Sequence, residues 1–200
     1  ATGEDQSLTH SSTILGLKGQ ACSPPLASIS EIQYILFVNF WIFWVFLEEM
    51  SLTGKMVRQT EIKSDGDVFH EIFSSRPHHI SNMSPEKVQG VDLHGGDWGT
   101  VGSVILWNYT HDGKEKIAKE KIEAIDEENK SITYKVIEGD LVELYKTFII
   151  TVHVDTKGEN NIVTWTFEYE KLNKDVPDPD TLMDFVINVT KDIETHHLKE

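Results

Sequence analysis

Residues 131–170 read SITYKVIEGDLVELYKTFIITVHVDTKGENNIVTWTFEYE, three segments of alternating side chains broken at Gly139-Asp140 and again at 156–161. In the first, Ile132, Tyr134 and Val136 oppose Ser131, Thr133 and Lys135. In the second, Phe148, Ile150, Val152 and Val154 oppose Thr147, Ile149, Thr151 and His153. In the third, Val163, Trp165, Phe167 and Tyr169 oppose Thr164, Thr166, Glu168 and Glu170. Successive side chains on a strand point to opposite faces, so each segment predicts a strand with one apolar and one wet face. Such strands, joined by turn-forming residues, predict an antiparallel sheet whose dry face needs a cover.

Upstream, the same reading predicts strands over 55–63, 88–93, 101–109 and 114–125, seven in all, with turns at His94-Gly95-Gly96-Asp97, His111-Asp112-Gly113 and 126–130. Ser64-Asp65-Gly66-Asp67 stops the first strand and caps a short helix over 68–74, with Phe69, Ile72 and Phe73 on its apolar side. Arg76-Pro77 ends that helix, and a second brief helical turn is expected over 78–83. Downstream, Asp178-Pro179-Asp180 reads as an N-cap followed by Pro at the first helical position. Leu182, Phe185, Val186, Val189 and Ile193 then recur at helical spacing and supply the cover. The fold class is α+β: a curved seven-stranded antiparallel sheet around a long C-terminal helix, with two short helices after strand one.

The first 49 residues differ in kind: a Ser/Thr/Gly/Pro-rich lead precedes the apolar run 32–47, IQYILFVNFWIFWVFL. Sixteen residues of helix span about 24 Å, short of the roughly 30 Å hydrocarbon core of a bilayer, and Gln33 and Asn39 interrupt the run. The first methionine is Met50. The expectation is a compact domain over 50–200 preceded by extra sequence, such as an upstream region read through as coding. A hydrophobic anchor or a processed targeting segment are the alternatives, and a membrane partner is expected only if 32–47 is a genuine anchor.

With 33 acidic against 18 basic side chains the chain carries a net charge of −15, and residues 50–200 alone carry −11. That balance argues against nucleic acid as a partner, because a phosphate backbone is repelled. The single cysteine, Cys22, excludes an internal disulfide and an all-Cys zinc site and fits a cytoplasmic protein. No nucleophile elbow, dinucleotide turn, Walker loop or His-Glu-x-x-His helix occurs. The glycine-rich stretch 95–102 contains Asp97 and no following lysine, so it reads as a structural connection rather than a phosphate cradle. The pairs His78-His79 and His196-His197 are adjacent, which points their rings apart and disfavours a metal site. Glu115, Glu120, Glu123, Asp126, Glu127 and Glu128 intermix with lysines and read as a solvated face. No catalytic residue, metal or cofactor is expected.

Several blocks in order carry a resemblance. Pro77-His78-His79-Ile80 with Ser84-Pro85-Glu86-Lys87, then Gly96-Asp97-Trp98-Gly99-Thr100-Val101-Gly102 running into Trp107-Asn108-Tyr109, resemble the major latex protein family of plants. Val136-Ile137-Glu138-Gly139-Asp140-Leu141 and Glu143-Leu144-Tyr145-Lys146 extend the match, which runs from about residue 51 to 197. That family is a branch of the birch-pollen-allergen (Bet v I-type, START-like) superfamily. The chain departs from the class-ten pathogenesis-related proteins, having Gly102-Ser103 where their glycine loop carries a lysine, so ribonuclease activity does not carry over.

The resemblance implies a helix-grip fold with a large internal cavity that holds hydrophobic or amphipathic small molecules, and a tie to plant defence and stress. A monomeric carrier is the expected function. A ligand-dependent sensor acting on a protein partner is the alternative, with a condensing enzyme behind it. The inward positions of the last strand, Val163, Trp165, Phe167 and Tyr169, include no residue able to form a Schiff base. Ligand-lining candidates on the strands are Val104 and Leu106, then Ile132, Tyr134 and Val136, then Phe148, Ile150 and Val152, then Trp165 and Phe167. Phe69 from the first short helix joins them, as do Met183, Val186, Val189 and Thr190 from the last helix. Tyr134, Thr190 and His94, the last at the mouth of the glycine loop, are the candidates to orient a ligand's polar group.

Overall fold

The structure is a computed structural model that describes residues 33–34, 36–42, 52–157 and 160–199. The boundary expected at Met50, Cys22 and most of the expected extension lie outside the described residues. The chain divides into two compact units, Ala1–Ile42 and Phe43–Glu200. In the first, the described residues are helical and expose Tyr34, Phe37 and Trp41. No helix among the described residues is long and apolar enough to cross a membrane.

The second unit is built on one seven-stranded antiparallel sheet. Its strands are β1 (Thr53–Ile62), β2 (Val88–Gly95), β3 (Val104–His111), β4 (Lys114–Asp126), β5 (Ser131–Gly139), β6 (Tyr145–Lys157) and β7 (Asn160–Lys171). They lie in the order β1-β7-β6-β5-β4-β3-β2, so every consecutive pair from β2 to β7 is adjacent and only β1 joins from a distance. The faces assigned to β5, β6 and β7 hold throughout: Ile132, Tyr134, Val136, Phe148, Ile150, Val152, Val154, Val163, Trp165, Phe167 and Tyr169 are buried, and their opposite numbers are at least partly exposed. The register places Phe148 beside Tyr169, Ile150 beside Phe167 and Val152 beside Trp165, aligning the apolar sets of two strands into one continuous face.

Two strands differ from the sequence reading. In β3 the inward set is Ile105 and Tyr109, both buried, with the half-buried Trp107 between them, while Val104 and Leu106 sit on the outer face opposite Lys121 and Lys119 of β4. Val104 to Trp107 is an unbroken apolar run, so alternation carries no parity there, and the sheet buries the set with the larger rings. In β4 the inward set is Ala118, Glu120 and Ile122, which overturns the reading of Glu120 as part of a solvated face. Residues 101–102 belong to the glycine-rich turn rather than to β3. That turn is closed by Ser103, whose Oγ accepts from the Asp97 N–H at 3.0 Å and donates to the Asp97 carbonyl at 2.7 Å.

Helix α1 (Gly66–Ser75) starts at Asp65, whose carboxylate accepts from the N–H groups of Asp67 and Val68 at 2.8 and 3.3 Å. It buries Phe69, Ile72 and Phe73, and a 3-10 turn, Pro77–His79, leads into the single turn α2 (Ile80–Met83). The long helix α3 (Asp180–His197) covers the sheet with Leu182, Met183, Ile187, Val189, Thr190 and Ile193 buried. Its cap position is Pro179, with no side-chain capping bond. Asp178, read as the cap, instead accepts from the Tyr169 hydroxyl at 2.6 Å and pairs with Lys171 at 2.8 Å. These two partners, Lys171 first, hold its carboxyl below the ordinary aspartate value. Asp192 fixes the far half of α3 by accepting from Ser84 at 2.5 Å and from Lys87 at 2.7 Å.

Candidate functional site

Between α3 and the concave face of the sheet lies an apolar cavity of about 80 Å³. Trp107, Tyr109, Ala118, Glu120, Tyr134, Ile150 and Trp165 line it from the sheet. Leu182, Phe185, Val186 and Val189 line it from α3, and Phe73, Ile80, Val88 and Leu141 close its rim. Of the side chains expected to line a ligand site, Tyr134, Ile150, Trp165, Val186 and Val189 therefore meet in one cavity. Phe69, Ile132, Val136, Phe148, Val152, Phe167, Met183 and Thr190 are buried but pack in the solid core around it. Val104 and Leu106 face outward, and His94 is exposed and away from the lining.

The cavity is smaller than the large one the resemblance implies, because rings fill the space. Phe73 meets Trp165 edge-on at 5.2 Å between centroids, Trp107 meets Tyr134 at 6.4 Å, and Phe185 of α3 lies 5.5 Å from Tyr109. Phe185 and Val186 of α3, like Trp107, are only half-buried.

Two of the three polar groups expected to orient a ligand, Tyr134 and Thr190, are engaged elsewhere. The Tyr134 hydroxyl donates to the Phe73 carbonyl at 2.5 Å, tying β5 to the end of α1. The fully buried Thr190 hydroxyl accepts from the Trp165 indole N–H at 3.0 Å and donates to the Val186 carbonyl at 2.9 Å. Thr190→Val, nearly isosteric, leaves that indole N–H orphaned in the core. It is expected to lower stability by about 1–3 kcal/mol in chemical denaturation without changing the fold. A loss within a few tenths of that unit would show the bond to be idle.

Three groups that the sequence reading passed over are open instead. Glu120 is 6% exposed and pairs with no lysine or arginine among the described residues. Burial pushes its carboxyl up to about 8, and the Trp107 indole N–H offsets only part of that shift. That N–H closes no hydrogen bond of ordinary length and angle, and the buried Tyr109 hydroxyl also has no partner. Burial, with Glu120 adding to it, holds the Tyr109 phenol above its usual range. The signal for Glu120 was local: it stands two residues from Ala118 and two from Ile122, on the apolar parity of its strand. Among the described residues no set of three or more His, Cys, Asp or Glu is arranged to hold a metal ion.

Residues 51–200 match the Pathogenesis-related protein Bet v 1 family. MLP-like protein 34 of Arabidopsis thaliana is 49% identical over 155 residues, 76% of this chain and 49% of that protein. MLP-like protein 43 of the same plant is 47% identical over 155 residues, 76% of this chain and 98% of that protein. The chain thus spans about half the length of some of these relatives and nearly all of others. The crystal structure of major latex-like protein 151 from Panax ginseng is 60% identical, with a TM-score of 0.73 over 74% of this chain and 99% of that one. Norcoclaurine synthase from Thalictrum flavum, at 18% identity and a TM-score of 0.59 over 77% of this chain and 92% of that one, shares the fold alone.

Proposed function

Because the chain belongs to the pathogenesis-related protein Bet v 1 family, on its major latex protein branch, we propose that it binds hydrophobic or amphipathic small molecules in the cavity between sheet and C-terminal helix. It acts as a cytoplasmic carrier linked to plant defence and stress, a monomer without nucleic-acid partners, with residues 50–200 as the binding domain. The observation that carries this reading is the apolar cavity roofed by α3, where Phe185 and Val186 are only half-buried. At about 80 Å³ the cavity admits a few heavy atoms, against roughly 300–1,000 Å³ for ordinary small-molecule sites. A larger ligand enters by displacing those two side chains, and removal of its surface from water, at about 25 cal/mol per Å², drives the exchange.

Enzymatic condensation has less support. The described lining offers no lysine to form a Schiff base, and the norcoclaurine synthase solved with dopamine and hydroxybenzaldehyde is related at the level of fold only. Titration with the neutral fluorophore phenylnaphthylamine tests the carrier reading. Val186→Trp fills the cavity and is expected to weaken binding at least tenfold, whereas Thr164→Trp, on the outer face of β7, leaves it unchanged. Equal affinities in the two variants would remove the cavity from the account. Native mass spectrometry of the protein from its own tissue then identifies the ligand.

A further inference from the structure

One part of the cavity lining is unlike the rest. Trp107 and Tyr109 project inward from β3, and Glu120 projects inward from the neighbouring β4. The phenol hydroxyl is buried without a partner, the carboxyl is buried without a counter-ion among the described residues, and the indole N–H reaches only that carboxyl, in no bond of ordinary geometry. A buried donor left open is costly, and the hydroxyls of Tyr134 and Thr190 are already bound to the protein itself. The Tyr109 phenol and the protonated Glu120 carboxyl each hold an O–H with no acceptor, so whatever completes this cluster must offer one. An ammonium group offers none, and a carboxylate would add a second acid to a site that already holds one.

We infer that the β3–β4 wall of the cavity seats the carbonyl or hydroxyl oxygen of an otherwise apolar, uncharged molecule against Trp107, Tyr109 and Glu120. The inference rests on the carrier reading and names the ligand chemistry that reading leaves open. Glu120 takes part as the neutral acid, donating its proton to the ligand oxygen, which a carboxyl pushed up to about 8 does at neutral pH. The titratable groups facing it are Tyr109 from β3 and Tyr134 from β5, both held protonated by burial. His111 lies one inward position beyond Tyr109, and Asp140 acts on Tyr109 from the turn after β5. From the helices the site receives Phe73, Phe185, Val186 and Val189, none of which titrates.

The test is displacement of phenylnaphthylamine by four probes of one shape: acetophenone, ethylbenzene, benzylammonium and benzoate. Acetophenone is expected to bind about tenfold more tightly than ethylbenzene at pH 7, with both ions weaker still. Above pH 8 the Glu120 carboxylate confronts the ketone oxygen, and the preference disappears. Glu120→Gln keeps an N–H donor at that place, so it retains the preference and loses its pH dependence, while Trp107→Phe shrinks the preference at every pH. Equal binding of acetophenone and ethylbenzene, tightest binding of benzylammonium or benzoate, or an unchanged pH profile in Glu120→Gln would overturn the inference and leave the cavity standing. Failure of phenylnaphthylamine and all four probes to bind would instead overturn the carrier reading itself.

Discussion

Glu120→Gln is expected to make the empty protein more stable at pH 8 by on the order of 4 kcal/mol, with most of that difference gone at pH 5. Glu120 holds its proton to about pH 8 in the native state, against 4.5 for the free side chain. Between those values the unfolded chain has released the proton and the native protein has not, so stability falls as pH rises, by roughly 1.4 kcal/mol per pH unit. The contribution is complete below pH 4.5 and lost by about pH 8. Glutamine keeps the shape and the hydrogen-bonding edge of the acid without the charge. Other groups titrate in or near this window with the opposite sign: His78 is depressed by burial, then by His79 and Arg76, and adds stability as pH rises toward its ordinary value. Asp126 and Asp178, both lowered by hydrogen bonds, act only in acid. Those terms are shared by both proteins and cancel in the difference between their urea-denaturation curves, measured from pH 5 to 8.5. Parallel curves would mean that Glu120 is solvated in the folded protein.

Gly139→Ala is expected to destabilise the fold by about 3 kcal/mol or more. Gly139 closes β5 with φ +108°, a conformation strained for any side chain, and a Cβ there would lie 2.3 Å from the carbonyl oxygen of Ile117. The obstructing atom is backbone in the adjacent strand, where Ala118 pairs with Gly139 and the Asp140 carboxylate accepts from the Ile117 N–H at 2.8 Å. No rotamer change relieves that contact; the β4–β5 pairing must open. Gly113 is the control, because its φ is +69° but a Cβ there meets nothing within 4 Å. Gly113→Ala therefore isolates the conformational term, about 1 kcal/mol. If the two variants melted alike, the close approach at Gly139 would carry no weight.

The blocks that resembled the major latex proteins fall where the fold is locally demanding. Gly139-Asp140 makes the turn just described, and Ser84 and Lys87 anchor Asp192 of α3. Such positions are legible because a tight turn or a fixed ion pair admits few residue types. The carbonyl-facing cluster was not legible in the same way. Trp107 and Tyr109 lie in a strand with apolar residues on both parities, and Glu120 lies among lysines that disguise the inward face.

By itself the sequence determined the class of fold, the faces of β5, β6 and β7, and the helix that covers them, because strict alternation and helical spacing are local properties that survive in any tertiary context. Only the tertiary structure decided which half of β3 turns inward and that Glu120 is buried. It also decided that the hydroxyls of Tyr134 and Thr190 are spent on Phe73 and Trp165, partners 61 and 25 residues away. The volume left between the rings belongs to the same class. Whether a polar group is satisfied, and how much space remains, are sums over neighbours from distant strands and helices, and no local pattern in a chain encodes such a sum.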